Sequence, residues 1–513
     1  MSHISGTDRE QLNMFPLSMD EMVGEENPVR IVDLFVNHFD FIKLGFIHAI
    51  ASTEGRPPFA PSDLMKLYLY GYLNRIRSSR KLERECERNI ELIWLLKGLR
   101  PRYKTIADFR SKHAVQIKNF FKEFVLLLKG WDLIEGKLIA IDGSKFRAMN
   151  SKKNNFNEDK IKRQLEYIDS RIEEYMNVLE ENDKSENGDR KIDTDKIKQQ
   201  IETQKQRRTK YEAIREELRQ TGQQQISTTD KDARSMPINH NRIEVSYNAQ
   251  TAVDAKNKLI VHYENTNVHD KKALASVALE AKSILQKESI ETVADKGYYN
   301  AEQIQICADH NIITYVAPVE PNRTNPIPTV DYYGENFIYD EQADHYTCPK
   351  GHILTTNGSW YDKKYKNTVT KLQQYKTSAC RTCPVKAFCT NNPKGRIIDR
   401  KQYAKAVEDN ARRIKEGKEK YALRQQIVEH PFGTIKRQWG IDHVLMKGLK
   451  KNEGEFGLIF SVYNLVRTIN ILGCNELKKR LRRCFDKFYV RWHCIEAILF
   501  KKYFPSYSAP CKV

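Results

Sequence analysis

At 513 residues the chain is too long for one hydrophobic core, and roughly two to four structural units are expected. A composition of 40% hydrophobic and 10% aromatic residues excludes a disordered or low-complexity chain. The net charge of +19, with a pI of about 9.2, points to a polyanionic partner, nucleic acid first, and otherwise to a merely basic soluble protein.

The N-terminal MSHISGTDREQLNMF has no apolar leader, and no stretch reaches the ~18 apolar residues that a membrane span needs. A cytoplasmic, nucleoid-associated protein with no membrane partner is expected. Residues 60–130 read as helices. PSDLMKLYLYGYL opens on a Pro and a Ser/Asp cap, SSRKLERECERNIELIWLL on a Ser cap, and TIADFRSKHAVQIKNFFKEFVLLL on Thr105 with Asp108 as a capping-box acid. Arg75, Arg77 and Arg80 at one junction suit a DNA-binding module, and a plain helical bundle with a basic surface fits equally.

GKLIAIDGSKF reads as a buried strand ending in Asp142, after which the chain loosens. Across residues 157–225, Ile161, Leu165, Ile168, Ile172, Tyr175 and Leu179 form a narrow apolar stripe. Ile197, Ile201, Tyr211, Ile214 and Leu218 form a patchier one, and a polar turn at 181–191 separates them. The pattern predicts an antiparallel helical hairpin. RIEVSYNAQTAVD and KLIVHYENTN follow as a β-hairpin. Next come a helix capped by Asp270, a strand ESIETVAD ending in Asp295, a helix from YNAEQIQICADH and a strand NIITYVAP. Residues 320–400 read as irregular and 403–429 as helical. From 431 onward there are 16 Lys and Arg against 6 Asp and Glu, with aromatics interleaved.

Strand, hairpin, helix, strand, helix, strand, helix is the element order of an RNase H-like fold. In that fold the first and fourth strands are central neighbours, so their ends bring two carboxylates together and the last helix adds a third. Clustered carboxylates repel unless divalent cations neutralise them, and hard oxygen ligands suit Mg²⁺ or Mn²⁺. Two such ions ~3.5–4 Å apart activate an attacking water or hydroxyl and stabilise the leaving oxygen in phosphodiester cleavage. Alone, Asp142 and Asp295 each also read as turn residues, Asp254 as a turn and Asp270 as a cap.

These motifs resemble the DDE transposases of bacterial insertion sequences, in the branch with a Tyr–Arg–Glu–Lys signature. AIDGSKF matches the first-Asp motif with Asp142, and TVADKGYYN the second with Asp295. YALRQQIVEHPFGTIKRQWG matches the third block, with Tyr421, Arg424, Glu429 and Lys436. GRPPFAPSDLMKLYLYGYLNRIRSSRKLERE resembles the family's N-terminal helical domain, and STTDKDARSM and YNAQTAVD its intervening segments. The resemblance implies catalytic and metal-holding Asp142, Asp295 and Glu429 with two Mg²⁺ or Mn²⁺. It implies DNA contact by Tyr421, Arg424 and Lys436, and Lys145 sits where a phosphate would come. One departure stands out: four residues separate Arg424 from Glu429 where the signature has three. On an ideal helix that puts them about 140° apart, and Pro431 disfavours helix at His430, so a bulge or kink near 427–431 is the expected remedy. Glu416 and Glu419 are fallback acids.

Four of the ten cysteines fall within 348–389, which in a non-secreted chain reads as metal binding. Cys348, Cys380, Cys383 and Cys389 make a candidate Zn²⁺ site, with His352 as a substitute for the distant Cys348. Reduced free thiols and an iron–sulfur cluster are the alternatives. Trp360 reads as a packed residue or a stacking platform.

The expected architecture is α/β, an RNase H-like core with a mixed five-stranded sheet. Residues 1–130 form an N-terminal helical DNA-binding domain, 131–156 the first part of the core and 157–225 the hairpin insertion. Residues 226–320 continue the core, 321–400 form a Cys-rich insertion, 401–475 carry the last core helices, and 476–513 are a basic tail. The expected function is cleavage at terminal inverted repeats and strand transfer to target double-stranded DNA by a homodimer, through a hairpin on the element end. A nuclease without strand transfer and a catalytically silent DNA-binding derivative are the rivals.

Overall fold

A computed structural model describes residues 18–50, 54, 57–184, 193–238, 242–319, 329–365 and 368–503. The polar N-terminal run, most of the turn at 181–191, and the side chains of the basic aromatic run after Arg483 lie outside the described residues. In chain order the chain first forms α1 (Val29–Asn37), α2 (Pro61–Leu73), α3 (Ser79–Arg88), α4 (Ile90–Leu95), α5 (Tyr103–Lys112) and α6 (Ala114–Gly130). Then come β1 (Leu138–Arg147), β2 (Asn155–Phe156), α7 (Glu158–Lys184), α8 (Thr194–Thr221), β3 (Ile226–Ser227), β4 (Arg234–Ile238), β5 (Arg242–Asp254) and β6 (Ile260–Thr266). They are followed by α9 (Leu274–Leu285), β7 (Ile290–Ala294), α10 (Ala301–Asp309) and β8 (Ile312–Val316). The small strands are β9 (Ile338–Asp340), β10 (His345–Thr347), β11 (Ile353–Thr355), β12 (Tyr361–Tyr365), β13 (Thr368–Tyr375) and, after α11 (Lys386–Cys389), β14 (Ile398–Lys401). The chain ends in α12 (Ala404–Glu416), α13 (Lys418–Phe432) and α14 (Leu449–Tyr503), the last broken at Gly473, whose φ is 75°.

Two compact units result. One holds residues 1–135, 143–269 and 427–513, and the other 136–142 and 270–426. β1 passes from the second into the first at Asp142.

The first unit is built on α14, which packs on α6, β6 and α2. Two glycines let it approach: a Cβ on Gly454 would lie 2.8 Å from the Ala114 backbone, and one on Gly457 would lie 2.5 Å from the Tyr263 hydroxyl. The start of α14 is held by acids from far upstream. Asp230 accepts from Gly448 N–H at 3.1 Å and from the Tyr247 hydroxyl at 2.8 Å, and Asp232 accepts from Leu449 N–H at 2.8 Å. These carboxylates serve the amides that a helix start leaves unpaired. Leu449–Arg483 is long and apolar enough by length and composition to cross a membrane, contrary to the sequence expectation, yet 61% of its apolar window is buried inside the fold. A core helix shows this combination, because burial rather than lipid selects the apolar residues. α7 and α8 pack together, and Ile161, Ile214 and Leu218 close on Phe156 of β2 and Ile226 of β3 at the hairpin's base.

β5 pairs antiparallel with β4 at its start and with β6 further on, and neighbours β1. In the second unit β1 pairs parallel with β7, and β7 parallel with β8. The sheet is mixed and has six strands rather than five, because β4 adds to the edge of β5. α12 lies on β8 and α10, and the buried Asn410 side chain donates to Val316 O at 2.7 Å and accepts from Val316 N at 2.9 Å. The stretch expected to be irregular forms two three-stranded antiparallel sheets, β11-β10-β9 and β12-β13-β14, around Phe337, Tyr346, Leu354, Tyr375 and Ile398. Each of β9, β10 and β11 is three residues long, too short to show alternation.

Several helix boundaries differ from the sequence reading. α3 and α4 divide at Asn89, whose side chain accepts from Glu91 N–H. α5 starts at Tyr103 and gives way to α6 at His113, and Asp108 is no cap but pairs with Lys112 at 3.0 Å. A short 3₁₀ turn at Asp270–Lys272 precedes α9, which has Ala273 rather than Asp270 at its N-cap. Arg77 does not face solvent for DNA. It donates to Glu455, fully buried on α14, at 2.6 Å and to His443 O at 2.6 Å.

Candidate active site

Asp142 and Asp295 come together in the second unit. The parallel ladder runs from Leu138↔Glu291 to Ile141↔Ala294, and the two aspartates are the next residue on each side. Neighbouring strands lie about 4.8 Å apart and equivalent positions face the same way, so the register brings the two aspartates next to each other in the backbone. Ile139, Ala140, Ile141, Val293 and Ala294 are all wholly buried, and because successive residues point to opposite faces, both faces of this parallel pair are covered. Both aspartates are half-buried. Asp295 Oδ1 accepts from Gly297 N–H at 2.7 Å, capping a 3₁₀ turn over Lys296–Tyr298.

Asp142 does not end its strand. β7 stops at Ala294, whereas β1 stays extended to Arg147, with Ala148 N–H donating to Val245 O at 2.9 Å. The loosening read from Gly143–Ser144 is a change of partner, not of conformation.

In the first unit Lys436 donates to the Lys145 carbonyl at 2.6 Å, with its ammonium 4.4 Å from the centroid of the Phe146 ring. Phe146 is buried against Phe456. Lys436 thus holds the main chain three residues beyond Asp142, a role that no spacing in the sequence announces. Glu429 is exposed on α13, between a face buried through Ile427, Val428, Pro431 and Phe432 and the half-buried His430. His430 Nδ1 lies 2.8 Å from the Tyr463 hydroxyl, which itself donates to Lys258 O at 2.8 Å. Burial, then the Arg467 and Lys258 charges, holds the His430 imidazole below its usual pKa.

α13 is unbroken through Pro431, so no bulge lies between Arg424 and Glu429. The widening comes later, as a π-helical turn over Gly433–Gln438. The helix break falls instead at Gly417, between α12 and α13, where a Cβ would meet Arg413 O and the Tyr315 ring at 3.0 Å. Tyr421 and Arg424 are half-buried in the second unit, with the guanidinium 6.0 Å from the Tyr421 ring centroid. Glu416 and Glu419 are exposed.

Cys348, Cys380, Cys383 and Cys389 line one pocket with His352 and Arg396. Cys348 Sγ accepts from His352 N–H at 3.3 Å, and Gly395, at a φ of 99°, sits where a Cβ would be 2.6 Å from Cys380 Cβ. Burial raises the Cys389 thiol, Arg396 opposes that, and the other three thiols add to it. Trp360 is about half exposed. Four thiols are the donor set of a zinc site and two adjacent carboxylates that of a hard divalent cation. As the side chains stand, no three or more His, Cys, Asp or Glu among the described residues are gathered closely enough to hold an ion.

A family model described as a transposase DDE domain matches residues 347–469, and one described as a transposase domain (DUF772) matches 17–112. These ranges include Tyr421, Arg424, Glu429, Lys436 and all four clustered cysteines, but neither Asp142 nor Asp295. No curated protein matches the chain. Among solved structures, the cryo-EM structure of a piggyBac transposase synaptic complex with hairpin DNA aligns at 8% identity and a TM-score of 0.30, over 90% of this chain and 79% of that one. At that score it carries no argument.

Proposed function

The chain carries two transposase domains and belongs with the DDE transposases, and on that premise we propose that it cuts DNA at the ends of a mobile element and joins the freed 3′ ends to target DNA. The observation that carries the reading is the pair Asp142 and Asp295, one step past Ile141↔Ala294 on adjacent parallel strands. Two neighbouring carboxylates are costly without a cation, and Asp142 inside β1 and Asp295 directly after β7 are held more rigidly than loop residues would be. The element order of strand, hairpin, helix, strand, helix and strand supports an RNase H-like core.

Asp142 and Asp295 would hold the Mg²⁺ or Mn²⁺ ions, with Glu429 proposed as third ligand from its motif and its place within the DDE match. The ions supply charge neutralisation and an activated oxygen nucleophile. Lys436 fixes the main chain at Lys145, and so the direction in which β1 leaves Asp142. Tyr421, Arg424 and Lys145 are proposed DNA contacts, with side chains suited to phosphate. The four cysteines would hold a structural Zn²⁺ that staples the small sheets. Joining two ends calls for a homodimer on DNA.

The test uses an element-end duplex with Mg²⁺ or Mn²⁺. Asp142→Asn, Asp295→Asn and Glu429→Gln should each abolish cleavage while leaving DNA binding near the wild-type level. Retained cleavage removes that residue from the triad. Pre-cleaved ends that are never joined to target DNA would leave a nuclease in place of a transposase.

A further inference from the structure

The unit that holds the two aspartates also carries three lysines to which nothing above gives a role. Lys296 follows Asp295 directly, inside the 3₁₀ turn over Lys296–Tyr298. Asp295 Oδ1 closes that turn by accepting from Gly297 N–H at 2.7 Å, and the wrap is tight: a Cβ on Gly297 would lie 2.9 Å from the same oxygen. Tyr298, buried at 1% exposure, pins the turn from inside, while Lys296 and Gly297 are exposed. The turn over Asp270–Lys272 packs against this one. Asn300 Nδ2 donates to Lys271 O at 3.3 Å, and Gln303 Oε1 accepts from Ala275 N–H at 3.1 Å, so the starts of α9 and α10 are tied together. Lys271 and Lys272 are exposed as well.

Three lysines on two joined turns thus stand where β7 ends and Asp295 begins. None of the three has an ion-pair partner among the described residues. Asp270 and Glu302 offset part of their charge, so position rather than bulk potential sets what the lysines can do. A DNA strand whose scissile phosphate sits on cations at Asp142 and Asp295 carries its neighbouring phosphates past the same edge. Each brings a negative charge towards a site that already holds two carboxylates. Lysine suits that need, because a compact charge on a flexible stem meets a phosphate oxygen without reading the base. We propose that Lys271, Lys272 and Lys296 hold the phosphates that flank the cut. The inference rests on the reading that DNA is cut at Asp142 and Asp295.

The test uses the full chain, Mg²⁺ and a pre-cleaved element-end duplex without target DNA, so that binding is read alone. The triple variant Lys271→Gln, Lys272→Gln, Lys296→Gln should flatten the slope of log affinity against log salt by about 2 to 3, roughly 0.9 for each lost phosphate contact. A matched triple of exposed lysines on α8, Lys196→Gln, Lys198→Gln, Lys205→Gln, removes the same charge and should leave the slope near the wild-type value. Methylphosphonates then neutralise, one at a time, the phosphates nearest the cut on either strand. At the contacted positions each should weaken binding by the wild type and have no further effect in the first triple variant. Equal slopes in the two triples would overturn the proposal, as would losses that add at every position. If that coupling is absent while Asp142→Asn and Asp295→Asn lose cleavage, this inference alone falls. If it is present while those variants still cut, the lysine contacts stand and the proposed triad fails.

Discussion

Arg77 shows how far a side chain's apparent purpose depends on its long-range partner. In the sequence it belongs to a cluster of three arginines at a helix junction. In the fold it neutralises Glu455, whose other oxygen accepts from Leu445 N–H at 2.8 Å. Arg77→Met leaves a carboxylate wholly buried without its counter-charge and should cost about 3–5 kcal/mol in denaturant unfolding. Adding Glu455→Gln keeps the acceptor for Leu445 and removes the charge, so the double variant should be more stable than the single one. Equal stabilities would mean that the ion pair is not what holds the junction. The contrast with Asp142 is instructive. Its apolar strand was legible, since four apolar residues in a row, three of them buried, carry their own signal. The acceptor of Lys436, a main-chain carbonyl 291 residues away, leaves no trace in residue identity.

Secondary-structure elements were legible where they are long and periodic. α7, α8, β5, β6, β7 and β8 all follow their hydrophobic patterns. β9 to β11 were missed because three residues cannot show a period. The extension of β1 beyond Asp142 was missed because a glycine and a serine suggest a turn when the next pairing partner lies a hundred residues on. Pro431 misled in the other direction. It removes one helix amide but sits buried with Phe432, and packing outweighs the local preference. The two glycines of α14 give a sharper check. Gly457→Ala should raise helix propensity by ~1 kcal/mol, yet its Cβ would press on Tyr263 Oη and on Ile117 Cγ2 at 2.8 Å. Overpacking costs about 1–3 kcal/mol, so the net change should be destabilising. A raised melting temperature would show that α14 and α6 have room to spare.

At the scale of the molecule, thiol chemistry separates six of the described cysteines into two classes. Cys86 and Cys307 are fully buried and burial pushes each thiol up to about 12, so neither should react with iodoacetamide at neutral pH until the protein unfolds. The four clustered cysteines are partly exposed. If they hold zinc as proposed, they should be protected as isolated and become labelled after chelation, with mass spectrometry locating the label. Labelling that is indifferent to chelator would argue against the metal. The net charge of +19 makes a separate demand. Duplex binding should weaken about 10³-fold or more between roughly 50 and 200 mM salt if six or more phosphates are contacted. A shallow dependence would leave the charge without the role assigned to it.

The upstream acids that hold the start of α14 have a consequence in time. Gly448 and Leu449 find their caps on Asp230 and Asp232, and Arg77 its counter-ion on Glu455, across separations of more than two hundred residues. During synthesis at about 5–20 residues per second, everything from α1 to β6 emerges before the helix it must wrap. Residues 270–426, by contrast, include nearly all of their own unit. The later-made unit can therefore mature while the earlier-made one still waits, and the earlier one is completed only after α14 has emerged.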